Sequence, residues 1–230
     1  SSAASDVYKR QVKKDLFEKL ESRGYKISQE FDHDAELTIS LGGDGSFIKT
    51  VQLNHFPKTP IVGINTGTLG FFQEIDPNRI DNFLDLYEQG KYHTEEDKLI
   101  RVKIFTKNKV FTEHVINEVV LKGKNSKIVQ MQVYINEHHL QIFAGDGMMV
   151  SSPIGSTAYN MSVGGSIVYT TLESMQITPI APIHSSAYRS LLSSLVVDGN
   201  TKITLKPTSR YTNGCICLLY TSDAADDSLR

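Results

Sequence analysis

Val12, Leu16, Phe17 and Leu20 recur at the spacing of one helix face, and Gly24 follows where a helix C-cap belongs. Glu36 to Leu41 reads as a short strand feeding the turn GGDG, with Ser46 opening a helix through about Asn54. Ile61 to Ile64 is a second short apolar strand, ending in the loop NTGTLGFF. Asp76-Pro77 then supplies an N-cap with proline in the first helical turn, and the helix it starts reaches Gln89 before Gly90. Strand, helix, strand, helix in that order predicts a parallel sheet covered by helices.

The pattern changes after about Lys91. RVKIFT, VFTEHVINEVVLKG, KIVQMQVYIN and HHLQIFAGDGMMVS are β-rich runs broken by KNK and KGKNS. They predict antiparallel strands. A helical stretch follows SSPIGSTAY, and LVVDGNTKITLKP reads as a hairpin turning at Asp198-Gly199. The expected fold class is therefore α/β plus β, a parallel α/β domain followed by a mainly antiparallel β domain.

Composition narrows this picture. The chain has 230 residues, 40% of them hydrophobic, and a net charge of −2, enough for one large or two small domains. No run approaches the roughly 18 apolar residues of a membrane helix, and no signal peptide opens the chain. Near-neutral charge without a basic block argues against nucleic acid as a partner. Cys215 and Cys217 are too few for a disulfide framework and lack the second half of a zinc site, so a cytoplasmic protein is expected.

The two ends carry a separate signal. Back-translated, Ser1 to Gln11 (SSAASDVYKRQ) and Cys217 to Asp227 (CLLYTSDAADD) come from one DNA stretch read in opposite orientations. That stretch resembles the transposon-end adapter of sequencing libraries. Residues 1–11 and 217–230 are therefore expected to be adapter-like ends around a truncated gene segment, to be set aside as one would a tag. The domains expected between them are 12–92, with the GGDG turn, and 93–216, a truncated, mainly β dinucleotide-binding domain. Without the ends, 21 basic residues stand against 22 acidic ones, so the acidic C-terminal flavour disappears.

Chemistry concentrates in four places. In GGDG a strand-to-helix turn with Gly42, Gly43 and Gly45 lets backbone N–H groups converge on an anion. No Walker A sequence occurs, so this is not a P-loop. A tight turn alone would explain the glycines. Asp44 among them makes chemical sense if it acts on a hydroxyl beside a phosphate, taking its proton or holding a neutralising metal. The loop Gly63 to Phe72 either permits a close crossing or supports the first turn and presents Phe71 to a flat ligand. Asn117-Glu118, inside an apolar run, is a satisfied strand pair or a donor–acceptor set for ribose hydroxyls. Gly145 to Gly165 combines Asp146 with Ser151, Ser152, Ser156 and Thr157, small residues and Tyr159. The seven scattered histidines form no i,i+4 ligand pair, and no Gly-x-Ser-x-Gly elbow is present.

In order and rough spacing, GGDG at 42–45, TGTLGF at 66–71, NE at 117–118 and DGMMVSSPIGSTAYNMSVGG at 146–165 resemble the NAD kinase family, in its short bacterial form. GGDG alone is shared with lipid kinases and 6-phosphofructokinases; the last stretch is the most specific. The resemblance implies ATP-dependent phosphorylation of the adenosine ribose 2′-hydroxyl of NAD, with Asp44 as catalytic base. It implies that Gly42, Gly43, Gly45 and Ser46 shape the phosphate turn. Phe71, Asn117, Glu118, Asp146, Thr157, Ala158, Tyr159, Ser162 and Ala181 would contact the dinucleotide. Mg²⁺ would arrive with ATP rather than in a protein-only metal cage, and the intact protein would be a homodimer or homotetramer. Ala144 stands where the family often has a basic residue, and Ser152-Pro153 where threonine-proline is common. The first strand and the last strands of the family pattern are expected to be missing. A lipid kinase of the same superfamily, a silent NAD-binding protein and an inactive fragment are the competing expectations; polyphosphate as donor and NADH as acceptor stay open.

Overall fold

The computed structural model describes residues 2–30, 32, 34–67, 72–184, 190–208 and 215–220. They fall into two compact units, Ser1–Glu96 and Asp97–Arg230. In the first, helix α1 (Ser2–Ser22) precedes strand β1 (Thr38–Gly42), helix α2 (Asp44–Leu53) and strand β2 (Ile61–Asn65). A 3-10 turn at Pro77–Arg79 then leads into α3 (Ile80–Glu88). β1 and β2 pair in parallel, from Thr38 opposite Ile61 to Gly42 opposite Asn65, because α2 returns the chain between them. Val12 and Leu16 of α1, Ile64 of β2 and Ile80 and Leu84 of α3 are buried together as the core of this unit. Fully burying one such side chain contributes about 1.5–3 kcal/mol.

The local signals act as the sequence predicts. Gly24, at φ +84°, ends α1 in a left-handed cap. Its N–H bonds the Glu21 carbonyl at 3.0 Å, and the Tyr25 N–H bonds that of Leu20 at 3.1 Å. The Asp76 carboxylate accepts the Asn78 N–H at 2.8 Å and caps the turn that Pro77 opens. Two boundaries differ. α1 begins at Ser2, so it runs through the segment set aside as adapter-like. α2 begins at Asp44, two residues before Ser46. Gly43 is extended (φ −108°, ψ −173°) and its carbonyl already accepts the Ser46 and Phe47 N–H groups, so the helical ladder starts there.

The second unit is built of antiparallel strands. The hairpin β3 (Ile100–Phe105) and β4 (Val110–Val115) comes first. A five-stranded sheet follows, made of β5 (Glu118–Gly123), β8 (Gly147–Ser151), β9 (Ser174–Ile180), β10 (Leu195–Asp198) and β12 (Cys215–Tyr220), in the order β10-β9-β8-β5-β12. A three-stranded sheet orders β11 (Ile203–Pro207), β6 (Val129–Ile135) and β7 (His138–Gly145). Val129, Met131 and Val133 alternate inward from β6 and meet Phe143, Met148 and Ile177 in one core, so side chains of both sheets fill it. The turn between β6 and β7 has Asn136 at φ 47° and Glu137 at φ 72°, the pair of positive values a tight hairpin requires.

One strand pairing departs from expectation. β10 and β11 do not form a hairpin with each other: β10 pairs with β9 and β11 with β6, in different sheets. Asp198-Gly199 does reverse the chain, with the Asp198 carboxylate accepting the Asn200 N–H at 2.8 Å. Turn residues set a change of direction; the edges offered by β9 and β6 choose the partners. The run HHLQIFAGDGMMVS likewise divides, β7 into one sheet and β8 into the other, with Asp146 at the crossing. β12 includes residues 217–220 of the segment set aside and pairs antiparallel with β5.

Candidate active site

At the end of β1, Gly42 adopts φ +149°, where a Cβ would overlap the Ser46 side chain, so the turn accepts only glycine there. The Gly42 carbonyl accepts the Thr66 N–H at 3.0 Å, tying the turn to the end of β2. Asp44 is the first residue of α2, where the helix dipole favours anionic groups. Its Oδ1 accepts the Phe72 N–H at 2.9 Å. The Phe72 ring stacks on Phe47 of α2, centroids 4.8 Å apart and planes within 8°. Gly45 lies in the first turn of α2, just ahead of the Ser46 N–H that the Gly43 carbonyl accepts at 2.9 Å; the start of a helix is where backbone N–H groups can meet an anion.

In the second unit Asn117 and Glu118 are buried at the start of β5, Glu118 to 1% exposure. Glu118 Oε2 has no hydrogen-bond partner among the described residues, and burial pushes the carboxyl up to about 8. Such a group is protonated at neutral pH and can donate as well as accept. Glu118 lies opposite Ser151 of β8. The chain leaving β8 is stitched to Asn117. Ser152 N–H donates to the Asn117 carbonyl at 2.8 Å, and Ser152 Oγ donates to Ile116 O at 2.5 Å while accepting the Gly155 N–H at 3.1 Å. Gly155 packs so closely on the Asn117 backbone that a Cβ has no room.

Residues 154–157 form a 3-10 turn and Tyr159–Ser162 the short helix α4. Thr157, Ala158 and Tyr159 are half-buried and Ser162 is exposed. Beneath them sits a buried polar network of which the sequence marked only Ser156, not Asn160, Gln176 or Thr178. Ser156 Oγ bonds both backbone groups of Val168, at 3.0 and 3.1 Å. Asn160 Oδ1 accepts from Thr178 Oγ1 at 2.6 Å, and Gln176 holds both backbone groups of Ser166, at 2.6 and 2.9 Å. These bonds fix both ends of the 156–168 segment. Gln176 and Thr178 alternate with Ile177, a pattern that reads as a solvent-facing side, so only their burial reveals them.

The structure therefore gathers Asn117, Glu118 and the run 157–162 at one end of β8. Asp146 and Ala181 lie at its other end, joined through Ile180: the Asp146 N–H bonds the Ile180 carbonyl at 3.1 Å. Ser151 lies five positions beyond Asp146, roughly 16 Å along the strand. Ala181 has φ +44°, and its carbonyl packs on Gly145. Phe71 lies outside the described residues. Among the described residues no three His, Cys, Asp or Glu gather as a metal site, and no helix is long and apolar enough to cross a membrane.

A half-buried acid opening a helix after a glycine turn, in a chain that also displays clustered amide, carboxyl and hydroxyl groups, fits a phosphotransferase acting on a hydroxyl-bearing substrate. Two family models extend this: the ATP-NAD kinase N-terminal domain matches residues 3–92 and the ATP-NAD kinase C-terminal domain residues 116–230. The NAD kinase of Finegoldia magna is 47% identical over 190 residues, 82% of this chain and 70% of that protein. The NAD kinase of Bacteroides fragilis strain ATCC 25285 is 32% identical over 97% of this chain and 75% of its own length. Yeast NADH kinase complexed with NADH aligns at TM-score 0.69 and 24% identity, covering 80% of this chain and 53% of that one. An Archaeoglobus fulgidus NAD kinase in complex with ATP aligns at TM-score 0.58 and 20% identity, over 90% of this chain and 89% of that one. The chain belongs to the ATP-NAD kinase family, enzymes of ATP-dependent NAD phosphorylation.

Proposed function

We propose that this chain transfers the γ-phosphoryl group of ATP to the 2′-hydroxyl of the adenosine ribose of NAD, with Asp44 as the base. The 2′ oxygen attacks the γ-phosphorus, its proton passes to the Asp44 carboxylate, and the bond from the γ-phosphorus to the β,γ-bridging oxygen breaks to release ADP. The observation that carries this reading is the placement of Asp44. One carboxylate oxygen is held by the Phe72 N–H at 2.9 Å, so the acid is oriented before substrate arrives. Gly42, Gly43, Gly45 and Ser46 shape the turn that accepts the donor phosphates. Asn117, Glu118, Thr157, Ala158, Tyr159 and Ser162 bind the dinucleotide, with Glu118 supplying a protonated carboxyl. Asp146 and Ala181 are assigned to the dinucleotide too, but at a place distinct from that cluster, given their separation along β8.

Mg²⁺ chelated by the ATP phosphates supplies neutralisation of charge on the transferred group when bound. Cytoplasmic residence and assembly as a homodimer or homotetramer belong to the same reading; exposed Leu140 and Ile142 on β7 support association.

The test is Asp44→Asn, assayed for NADP formation from NAD, ATP and Mg²⁺ with an NADP-specific dehydrogenase, alongside NAD binding by calorimetry. Turnover should fall about 1,000-fold while the Kd for NAD stays within threefold. An equal loss of binding and turnover would show Asp44 to be structural instead.

A further inference from the structure

Gln73 is a buried polar residue to which the reaction as described gives no role. It is 4% exposed, in the segment that follows β2. Its Nε2 donates to the carbonyl of Gly43, the residue preceding Asp44, at 3.0 Å. The adjacent Phe72 N–H donates to Asp44 Oδ1 at 2.9 Å, and the Phe72 ring stacks on Phe47. Two consecutive residues thus grip the Asp44 turn at its backbone, at its carboxylate and at the first turn of α2.

The grip is anchored from below. Ile75 N–H donates to Gly63 O at 3.1 Å and Asn65 N–H to Ile75 O at 2.9 Å, pinning the segment along β2. A Cβ at Gly63 would run into the Phe72 carbonyl and the Gln73 carboxamide, so β2 carries glycine where the segment crosses.

Stability alone does not account for a glutamine here. Its Oε1 is buried without a hydrogen-bond partner among the described residues, which costs free energy that an apolar side chain of the same shape would avoid. What the glutamine adds is one directed hydrogen bond to the turn that carries the acid. We infer that Gln73 is a positioning residue for phosphoryl transfer: by holding Gly43 it fixes the 72–73 backbone so that the Phe72 N–H orients the Asp44 carboxylate. The inference rests on Asp44 being the base.

The full chain is tested as Gln73→Met, which keeps the volume and removes the donor, and as Gln73→Glu. In Gln73→Met the Phe72 amide should exchange its hydrogen at least tenfold faster while Ile64 and Leu84 keep their parental rates. The kcat should fall about tenfold with KM for NAD within twofold. Gln73→Glu should behave like Gln73→Met at high pH and return toward the parent as pH falls, because only the protonated carboxyl has an O–H to donate to Gly43. Parental exchange at Phe72, or a loss confined to melting temperature and KM, would overturn the inference. If Gln73→Met fails to fold, the pH dependence of Gln73→Glu decides: a constant ratio to the parent across pH overturns it. Turnover retained by Asp44→Asn would sink the base assignment and this inference with it. Loss of turnover there, with Gln73→Met unchanged in exchange and kcat, would sink the positioning role alone.

Discussion

Asp44 and Glu118 are both acids within family motifs, but they sit in different surroundings. Asp44 opens α2, half-buried, with a backbone N–H on its carboxylate and a helix dipole that favours negative charge. Glu118 is buried in the five-stranded sheet with one oxygen lacking a hydrogen-bond partner among the described residues, and burial pushes its carboxyl up to about 8. The first environment orients a carboxylate at a turn; the second suits a carboxyl that keeps its proton and donates it. Motif membership says nothing of this difference. It comes from where each element puts the carboxylate: at the edge of a turn, or inside a sheet.

The largest effect that would break this contrast is the pH dependence of Glu118. The unfolded chain gives up this proton near 4.5 and the folded chain near 8, so between those values the folded state binds more protons. Its contribution is fully present below about pH 4.5 and is lost as pH rises toward 8, a decline of about 5 kcal/mol at about 1.4 kcal/mol per pH unit. Glu118→Gln should flatten that decline in urea titrations run from pH 5 to 8. An unchanged slope would mean that Glu118 is ionised and paired in the folded protein.

A smaller effect tests the support beneath the 157–162 run. Asn160→Ala removes a buried amide and leaves Thr178 Oγ1 without its acceptor, so stability should fall by about 2–3 kcal/mol. KM for NAD should rise as the 156–168 segment loosens. Chemical denaturation and steady-state kinetics on the same sample check both; unchanged stability would show that water replaces the amide. The smallest sharpens the comparison from the other unit. Asp76→Ala deletes an exposed N-cap, should cost about 1 kcal/mol and should leave KM for NAD alone, as circular dichroism melts and kinetics would show.

Read from the chain alone, the helices, the glycine turn and the mainly antiparallel second half were all legible. Their signals are local: Val12 and Leu16 on one face, Gly24 as a left-handed cap and Asp76-Pro77 as a start each act within a few residues. The same locality made the Asp44 turn visible, since a strand, three glycines and an acid are contiguous.

What required tertiary structure was every choice between distant partners. Asp198-Gly199 announced a reversal, but only the edges of β9 and β6 sent β10 and β11 to different sheets. Gln73, Asn160, Gln176 and Thr178 look like ordinary polar positions until packing buries them, after which each must find its hydrogen bonds among groups that sequence spacing does not specify. Asp146 and Glu118 belong to neighbouring motifs, yet the length of β8 holds them apart. The sequence by itself determined which elements form and which family they serve, because propensity, capping and turn chemistry are short-range. Tertiary structure decided which strands pair, which polar groups are buried and therefore which acid holds its proton, because burial is a property of the assembled fold.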